Sequence, residues 1–335
     1  MKSWCLPVPK EKAEEMRQKV LKEGLLRKDL KIKEGRKYVY IPIKEKIAKG
    51  TKKMEFEKRK EKFHFKEYAL SIIQKKYGEQ ISLPSSFDII GDIAIIKISE
   101  DIMKYKEEIG NALLSAHKNI KVVCMDRGVK DERRIRNIEV IAGENRTEAI
   151  HREYGIKILV DIKKVYYSPR LATERKRVAD MVKKGEVVID MFAGVAPFSL
   201  IIAKFSNPSV VYAIDKNPDA VYYAKKNVWM NRLDKIKVMQ GDAMEIVPQL
   251  PKAEHIIMNL PHSSFKFFTT AIDKGKIIHY YEIMEKEKIE ERIKMLEEES
   301  LKRNKKMELL NIKKIGTYSP NMVKIGMDIL IENNL

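Results

Sequence analysis

From residue 166 onward the chain repeats one alternation, a short run rich in Val and Ile followed by a stretch with helical periodicity. The runs are VVIDMF, VVYAID, IKVMQ, HIIMNL and KIIHYY. The helical stretches are PFSLIIAKF, NPDAVYYAKKNVWMNR, SSFKFFTTAID and EKEKIEERIKMLEEESLKRN. Such alternation folds as parallel strands joined by crossover helices, a doubly wound α/β sheet. After the last long helix, LLNIKKIGTYS and MVKIGMDILI follow each other with no helix between them. They predict an antiparallel hairpin at the C-terminal edge of the sheet. The expected architecture is therefore a Rossmann-like α/β domain over 166–335.

Two smaller α+β modules are expected before it. In 1–65, EKAEEMRQKVLKEGLL reads as an amphipathic helix stopped by Gly24, and KYVYIPI as a strand. The segment 51–63 is so charged that it reads as a solvated linker. In 66–165, FDIIGDIAIIKIS reads as a hairpin through Gly91-Asp92, DIMKYKEEIGNALLSAH as a helix, and NIKVVCM, IRNIEVIAGEN and KILVDIKKVYY as strands.

Composition narrows the function classes. The formal charge is +19, and residues 1–66 carry 22 Lys/Arg against 10 Asp/Glu. A surplus of that kind suggests a polyanionic partner such as nucleic acid. No apolar run is long enough to span a membrane, and the N-terminus has no signal-peptide core, so a cytoplasmic protein is expected. Cys5 and Cys124 form no metal-binding pair, and no metal site is expected. Cys124, in KVVCM, reads as a buried small hydrophobe.

In an open α/β sheet, ligands bind beyond the carboxyl ends of the strands. The first such turn here is DMFAGVAPF, with the single glycine Gly194. A dinucleotide turn would carry three glycines and aim helix amides at a pyrophosphate. Here Ala196 stands near the place of a second glycine, Pro197 has no N–H, and Asp190 would repel a phosphate. At the second strand end, Asp215 follows Gly194 by 21 residues, where an acid can accept from both ribose hydroxyls. Asp242 follows the third run and can accept the adenine amine. The fourth ends in Asn259-Leu-Pro261-His262, whose asparagine offers a donor and an acceptor to a base edge. Three acids and an amide in this order describe a site for adenosine without phosphates, which is S-adenosylmethionine.

Together with RIRNIEVIAGENRTEAIHREYGIKILVDIKKVYYSPRLATER (134–175), these motifs resemble the archaeal and eukaryal tRNA (guanine-N1)-methyltransferases that act at tRNA position 37. The resemblance implies a class I methyltransferase domain, S-adenosylmethionine as cofactor and tRNA as partner; no protein partner is implied, and a monomer is expected. It implies that Glu174 is the general base for the N1 proton and that Arg134 stabilises charge on guanine O6. It implies that Asn259 reads the base edge and Pro261 shapes its pocket. Tyr166, Arg170 and Arg175 match the segment beside the methionine end of the cofactor. Arg175 is expected to pair with the methionine carboxylate, while Arg170 is left between that carboxylate and a tRNA phosphate. Cofactor contacts are also expected from Asp190, Phe192, Gly194, Asp215, Lys216, Asp242, Ala243 and Asn259. His262 and His279 rank below Glu174 as bases. Ala196 departs from the glycine of the family's GVGPF. Two other readings stay open: C-methylation of a tricyclic wyosine precursor at the same position, and a non-catalytic tRNA-binding protein.

Overall fold

A computed structural model describes residues 1–47, 50–58, 65–84, 86–129 and 135–333. Among them the chain forms two compact units, Met1–Glu67 and Tyr68–Leu335. No helix among the described residues is long and apolar enough to cross a membrane.

The first unit is a sheet in the order β2-β3-β1-β4, with β1 at Lys2–Pro9, β2 at Lys33–Glu34, β3 at Tyr38–Ile43 and β4 at Lys52–Glu55. Helix α1 (Ala13–Lys22) ends before Gly24, whose φ of +71° suits a left-handed cap. Its Val20 joins Val8, Leu26, Val39, Ile41 and Ile43 in a small core. The expected linker at 51–63 is not all linker, because its start is β4, antiparallel to β1 with Lys2 opposite Glu55. In KKMEF the apolar residues alternate, so Met54 and Phe56 turn inward to Cys5 and Leu30 while the lysines face water. Residues 59–63 of that segment lie outside the described residues.

The second unit continues from α2 (Phe65–Tyr77) into a sheet of order β5-β6-β7-β8. Its strands are β5 (Phe87–Ile90), β6 (Ile93–Ile96), β7 (Val122–Val129) and β8 (Arg136–Gly143), with α3 (Lys106–Ala116) between β6 and β7. The Gly91-Asp92 hairpin forms as expected. A β-carbon on Gly91 would meet the Ile150 carbonyl at 2.7 Å. Next comes a two-stranded ribbon, β9 (Glu148–Glu153) and β10 (Ile156–Asp161), turned at Tyr154-Gly155 with both φ values positive.

The large sheet follows, with parallel strands β11 (Val187–Asp190), β12 (Val210–Asp215), β13 (Ile236–Gln240), β14 (Ala253–Met258) and β15 (Gly275–Glu285). Its helices are α4 (Ala172–Met181), α5 (Pro197–Phe205), α6 (Pro218–Asn231), α7 (Ala243–Ile246), α8 (Phe268–Ile272) and α9 (Ile289–Lys302). The edge hairpin is β16 (Lys305–Thr317) and β17 (Met322–Asn333), giving the order β13-β12-β11-β14-β15-β17-β16. The second hairpin strand lies inside and the first at the edge. Composition explains that order: β17 is almost wholly buried at its centre, whereas the lysine-rich β16 is largely exposed.

One core runs from Ile93 and Cys124 through Ile158 and Val160 of the ribbon to Val188 and Val211. Polar pairing also ties the ribbon to α6. Asn227 exchanges both backbone hydrogen bonds with Leu159 at 2.7 and 3.0 Å, and Asn231 does so with Lys157 at 2.9 and 2.6 Å. Two asparagines one helical turn apart thus take the place of a neighbouring strand along β10.

Candidate active site

The first turn beyond β11 is held by its acids. Asp190 is buried, and its Oδ2 accepts from the Ser199 hydroxyl at 2.8 Å. Its Oδ1 has no hydrogen-bond partner among the described residues. Burial above all, with the Asp215 carboxylate adding to it, pushes Asp190 up to about 7. Asp215 accepts from the Gly194 amide at 2.7 Å and the Asn217 amide at 2.8 Å, one bond to each oxygen. A carboxylate oxygen has two lone pairs, so one remains on each for a diol. Gly194 has φ +57°, while a β-carbon there would come no nearer than 3.7 Å to the Tyr166 carbonyl. Glycine is needed here for its backbone conformation rather than for space.

Ala196 occupies the left-handed region at φ +66°, capping α5, and is wholly buried. An L-residue there costs about 1–2 kcal/mol. Glycine would remove that strain, lose a buried methyl worth about 0.8 kcal/mol, and add about 0.4–1 kcal/mol of unfolded-chain entropy. These nearly cancel. Ala196→Gly is therefore expected to change stability by less than about 1 kcal/mol, read as the denaturant midpoint; a larger change would mean the turn is not strained as described.

The other residues at these strand ends are apolar or ion-paired. Phe192 meets Phe267 edge-on at 4.8 Å. Asp242 caps α7 through the Met244 amide at 2.9 Å and pairs with exposed Lys216 at 3.3 Å. Those contacts hold its carboxyl below the usual range. Ala243 is buried behind it.

A second cluster lies where β14, β15 and β17 meet α4. Glu174 is buried in the first turn of α4 and takes a hydrogen bond from the Tyr281 hydroxyl at 2.7 Å. Arg177 forks onto the same carboxylate at 2.6 and 3.0 Å. Burial would raise this carboxyl, but the Arg177 and Tyr281 bonds and the Arg177 charge outweigh it and hold it below its ordinary value. Above the Tyr281 ring, 5.6 Å from its centre, sits the Lys324 ammonium, which donates to Asn259 Oδ1 at 2.9 Å. The structure thereby joins Glu174 and Asn259, 85 residues apart in sequence, through Tyr281 and Lys324. The Pro261 carbonyl accepts from the Ile283 amide at 2.8 Å and the Ser264 hydroxyl donates to the Leu260 carbonyl at 3.0 Å, which pins the loop.

Other expected residues sit differently. Arg175 is buried and bidentate to Glu153 at 2.7 and 2.6 Å, with the Ser168 carbonyl at 3.1 Å. The expected pairing of Arg175 with a ligand carboxylate is not the arrangement found, because β9 supplies an internal carboxylate first. Arg170 is exposed and paired with Asp88 at 2.8 Å. Arg134 lies outside the described residues. His262 is exposed against Tyr318, and His279 is a buried residue of β15. Arg177, Tyr281, Lys324 and Asp328 were not foreseen. The one local signal was Arg177, spaced i+3 from Glu174 on a helix.

An acid at or just beyond each of three parallel strands, a glycine turn clamped by the second acid and a proline-opened helix fit adenosine without phosphates. This is the fold and site of a class I, S-adenosylmethionine-dependent methyltransferase. Residues 149–310 match the TRM5/TYW2 methyltransferase domain, 70–147 the TYW2 N-terminal domain and 5–52 the tRNA methyltransferase 5 N-terminal domain. The chain belongs to the TRM5/TYW2 methyltransferase family. It is 39% identical over 329 residues to the tRNA (guanine(37)-N(1))-methyltransferase Trm5b of Pyrococcus abyssi, covering 97% of this chain and 98% of that one. A solved complex of aTrm5 with tRNALeu matches with TM-score 0.71 and 35% identity, over 98% of this chain and 99% of that one. The tRNA 4-demethylwyosine(37)-methyltransferase Taw21 of Saccharolobus solfataricus is 35% identical over 230 residues, 66% of this chain and 86% of that one.

Proposed function

We propose that this protein transfers the methyl group of S-adenosylmethionine to N1 of guanosine 37 in tRNA. The observation that carries the reading is the buried Glu174 carboxylate, kept ionised and joined to Asn259 through Tyr281 and Lys324. Full-length similarity to Trm5b supports it. Guanine N1 bears a proton that must leave as the methyl arrives, and Glu174 is the group that takes it. Charge then grows on O6, where Arg134, carried over from the family resemblance, would stabilise the transition state more than the ground state. Asn259 offers the base edge both a donor and an acceptor.

S-adenosylmethionine supplies the methyl on an electrophilic sulfonium. Asp215 would hold its ribose, Asp242 and Ala243 its adenine, and Phe192 the apolar side of that slot. The Oδ1 of Asp190, without a partner among the described residues, calls for a donor, and the α-ammonium of the methionine end is one. Within the chain, residues 1–65 would grip tRNA at a distance through their positive charge, 66–165 would cover the anticodon arm, and 166–335 would perform the transfer.

Taw21 supports a second reading, methylation of a wyosine precursor on carbon at the same position. Labelled methyl donor and unmodified tRNA transcripts test the first. Label should enter a transcript with guanosine 37 and not one with adenosine there; equal labelling of both would reject the reading.

A further inference from the structure

Glu174 shares its arginine with a second carboxylate. Arg177 also donates to Asp328 at 2.7 and 3.1 Å, so one guanidinium spans two acids. Asp328 lies on β17, buried, and accepts from His279 Nδ1 at 2.7 Å and Asn311 at 3.1 Å. His279 Nε2 lies 3.0 Å from His255 Nδ1, with the two rings parallel within 3°. His255 Nε2 lies 3.1 Å from Glu186, whose carboxylate also accepts the Lys183 amide. The chain therefore runs from Glu186 at the surface, through two buried strands, to the candidate base.

The proton on His279 Nδ1 is what binds this ring to the ionised Asp328, whichever ring donates between His279 Nε2 and His255 Nδ1. Burial, with His279 beside it, pushes His255 down to about 4. The chain is not a proton wire to Glu174, because Arg177 interrupts it and an arginine does not give up its proton. What it can do is hold the guanidinium.

We propose that Arg177 and Asp328 are positioning residues for Glu174, with Asp328 itself fixed by the His279–His255 pair; this rests on Glu174 being the base. The groups facing Glu174 are Arg177 from α4, Tyr281 from β15, Asp328 from β17 through Arg177, and Lys324 of β17 above the Tyr281 ring. A carboxylate that accepts a proton must relax its hold on its cation. Asp328 makes that possible by taking half of Arg177's donors. Without its charge, Asp328 holds Arg177 more weakly, the guanidinium leans toward Glu174, and the base is both mis-set and too tightly paired.

Asp328→Asn in the full-length protein tests this, because asparagine keeps the size and can still accept from His279 and Arg177. With saturating S-adenosylmethionine and tRNA, its single-turnover rate should fall about tenfold or more, while the dissociation constants of both stay within about twofold. Arg177→Lys keeps the positive charge but cannot fork onto two carboxylates, and should show the same split even if the first variant fails to fold. In protein with labelled histidine, the Nδ1 proton resonance of His279 should shift in Glu174→Gln, as Arg177 turns toward Asp328. A wild-type rate in the folded variant, a loss confined to binding, or a His279 resonance that ignores Glu174→Gln overturns the proposal. A wild-type rate in Glu174→Gln would instead reject Glu174 as the base, so the two failures are distinguishable.

Discussion

Glu174→Gln should lower methyl transfer by about a hundred- to ten-thousand-fold, the range general-base catalysis contributes. The size of the loss follows from what glutamine keeps and what it gives up. It fills the same buried space, and its one amide oxygen can still accept from Arg177 and Tyr281. It cannot take a proton. Binding of S-adenosylmethionine and of tRNA should therefore stay within about twofold of wild type, since neither depends on proton transfer. Because Arg177 and Tyr281 hold the wild-type carboxyl below its usual range, Glu174 is already ionised at neutral pH. The wild-type rate should accordingly show no protonation loss from this group between about pH 6 and pH 8. Turnover of the variant within tenfold of wild type, measured in a single-turnover assay, would remove Glu174 from the mechanism.

The second large effect is on stability. Asp190 is pushed up to about 7 in the fold, from an ordinary value near 3.8. Its folded pKa is raised, so the folded state binds the proton more tightly than the unfolded chain. The cost of the buried anion is thus fully present above about pH 7 and is relieved as pH falls toward about 4. For the ligand-free protein, this group alone should make the fold about 2–3 kcal/mol more stable at pH 5 than at pH 8. Asp190→Asn has no such proton to bind. Subtracting its denaturant midpoints from those of wild type at the two pH values cancels the other titrating groups and should isolate that difference. The same variant should bind S-adenosylmethionine at least about tenfold more weakly, because a buried amide cannot replace a carboxylate opposite an ammonium. An identical pH dependence in both proteins would mean that the Asp190 carboxyl titrates alike in the folded and unfolded states, so that its burial carries no cost to the anion.

The large sheet was legible because its strands are buried on both faces and so read as unbroken Val/Ile runs. The edge hairpin was legible too, since two strand-like runs met without a helix. Strands that mix polar and apolar residues were harder. β1 carries Pro7 and Pro9, which argue against a strand. The structure accommodates both where β1 has only β3 beside it, opposite Tyr40 and Tyr38, beyond the reach of β4. β9 mixes the charged Glu148, Arg152 and Glu153 with Ala149 and Ile150, and it pairs with β10, whose other edge is taken by asparagine side chains rather than by a strand. Missing β9 had a consequence at the site, because β9 supplies the Glu153 that binds Arg175.

For the site itself, the strand-end acids could be placed from the alternation, since the sheet fixes which residues stand at its carboxyl edge. Glu174 and Asn259 came from motifs. Their partners did not, because Tyr281, Lys324 and Asp328 arrive from the edge hairpin and the strand beside it, where a register of opposing residues decides which side chains meet. Ile283 lies opposite Lys324 and His279 opposite Asp328. No local spacing in the sequence announces such a pairing.

The central claim, methylation of N1 of guanosine 37, is tested most directly by mass spectrometry of nuclease fragments from tRNA treated with the purified protein and S-adenosylmethionine. One added methyl should map to nucleotide 37 and be released as 1-methylguanosine, with none in the Glu174→Gln reaction. A methyl found at another nucleotide, on another atom of guanine, or only on tRNA that already bears the wyosine precursor would contradict it.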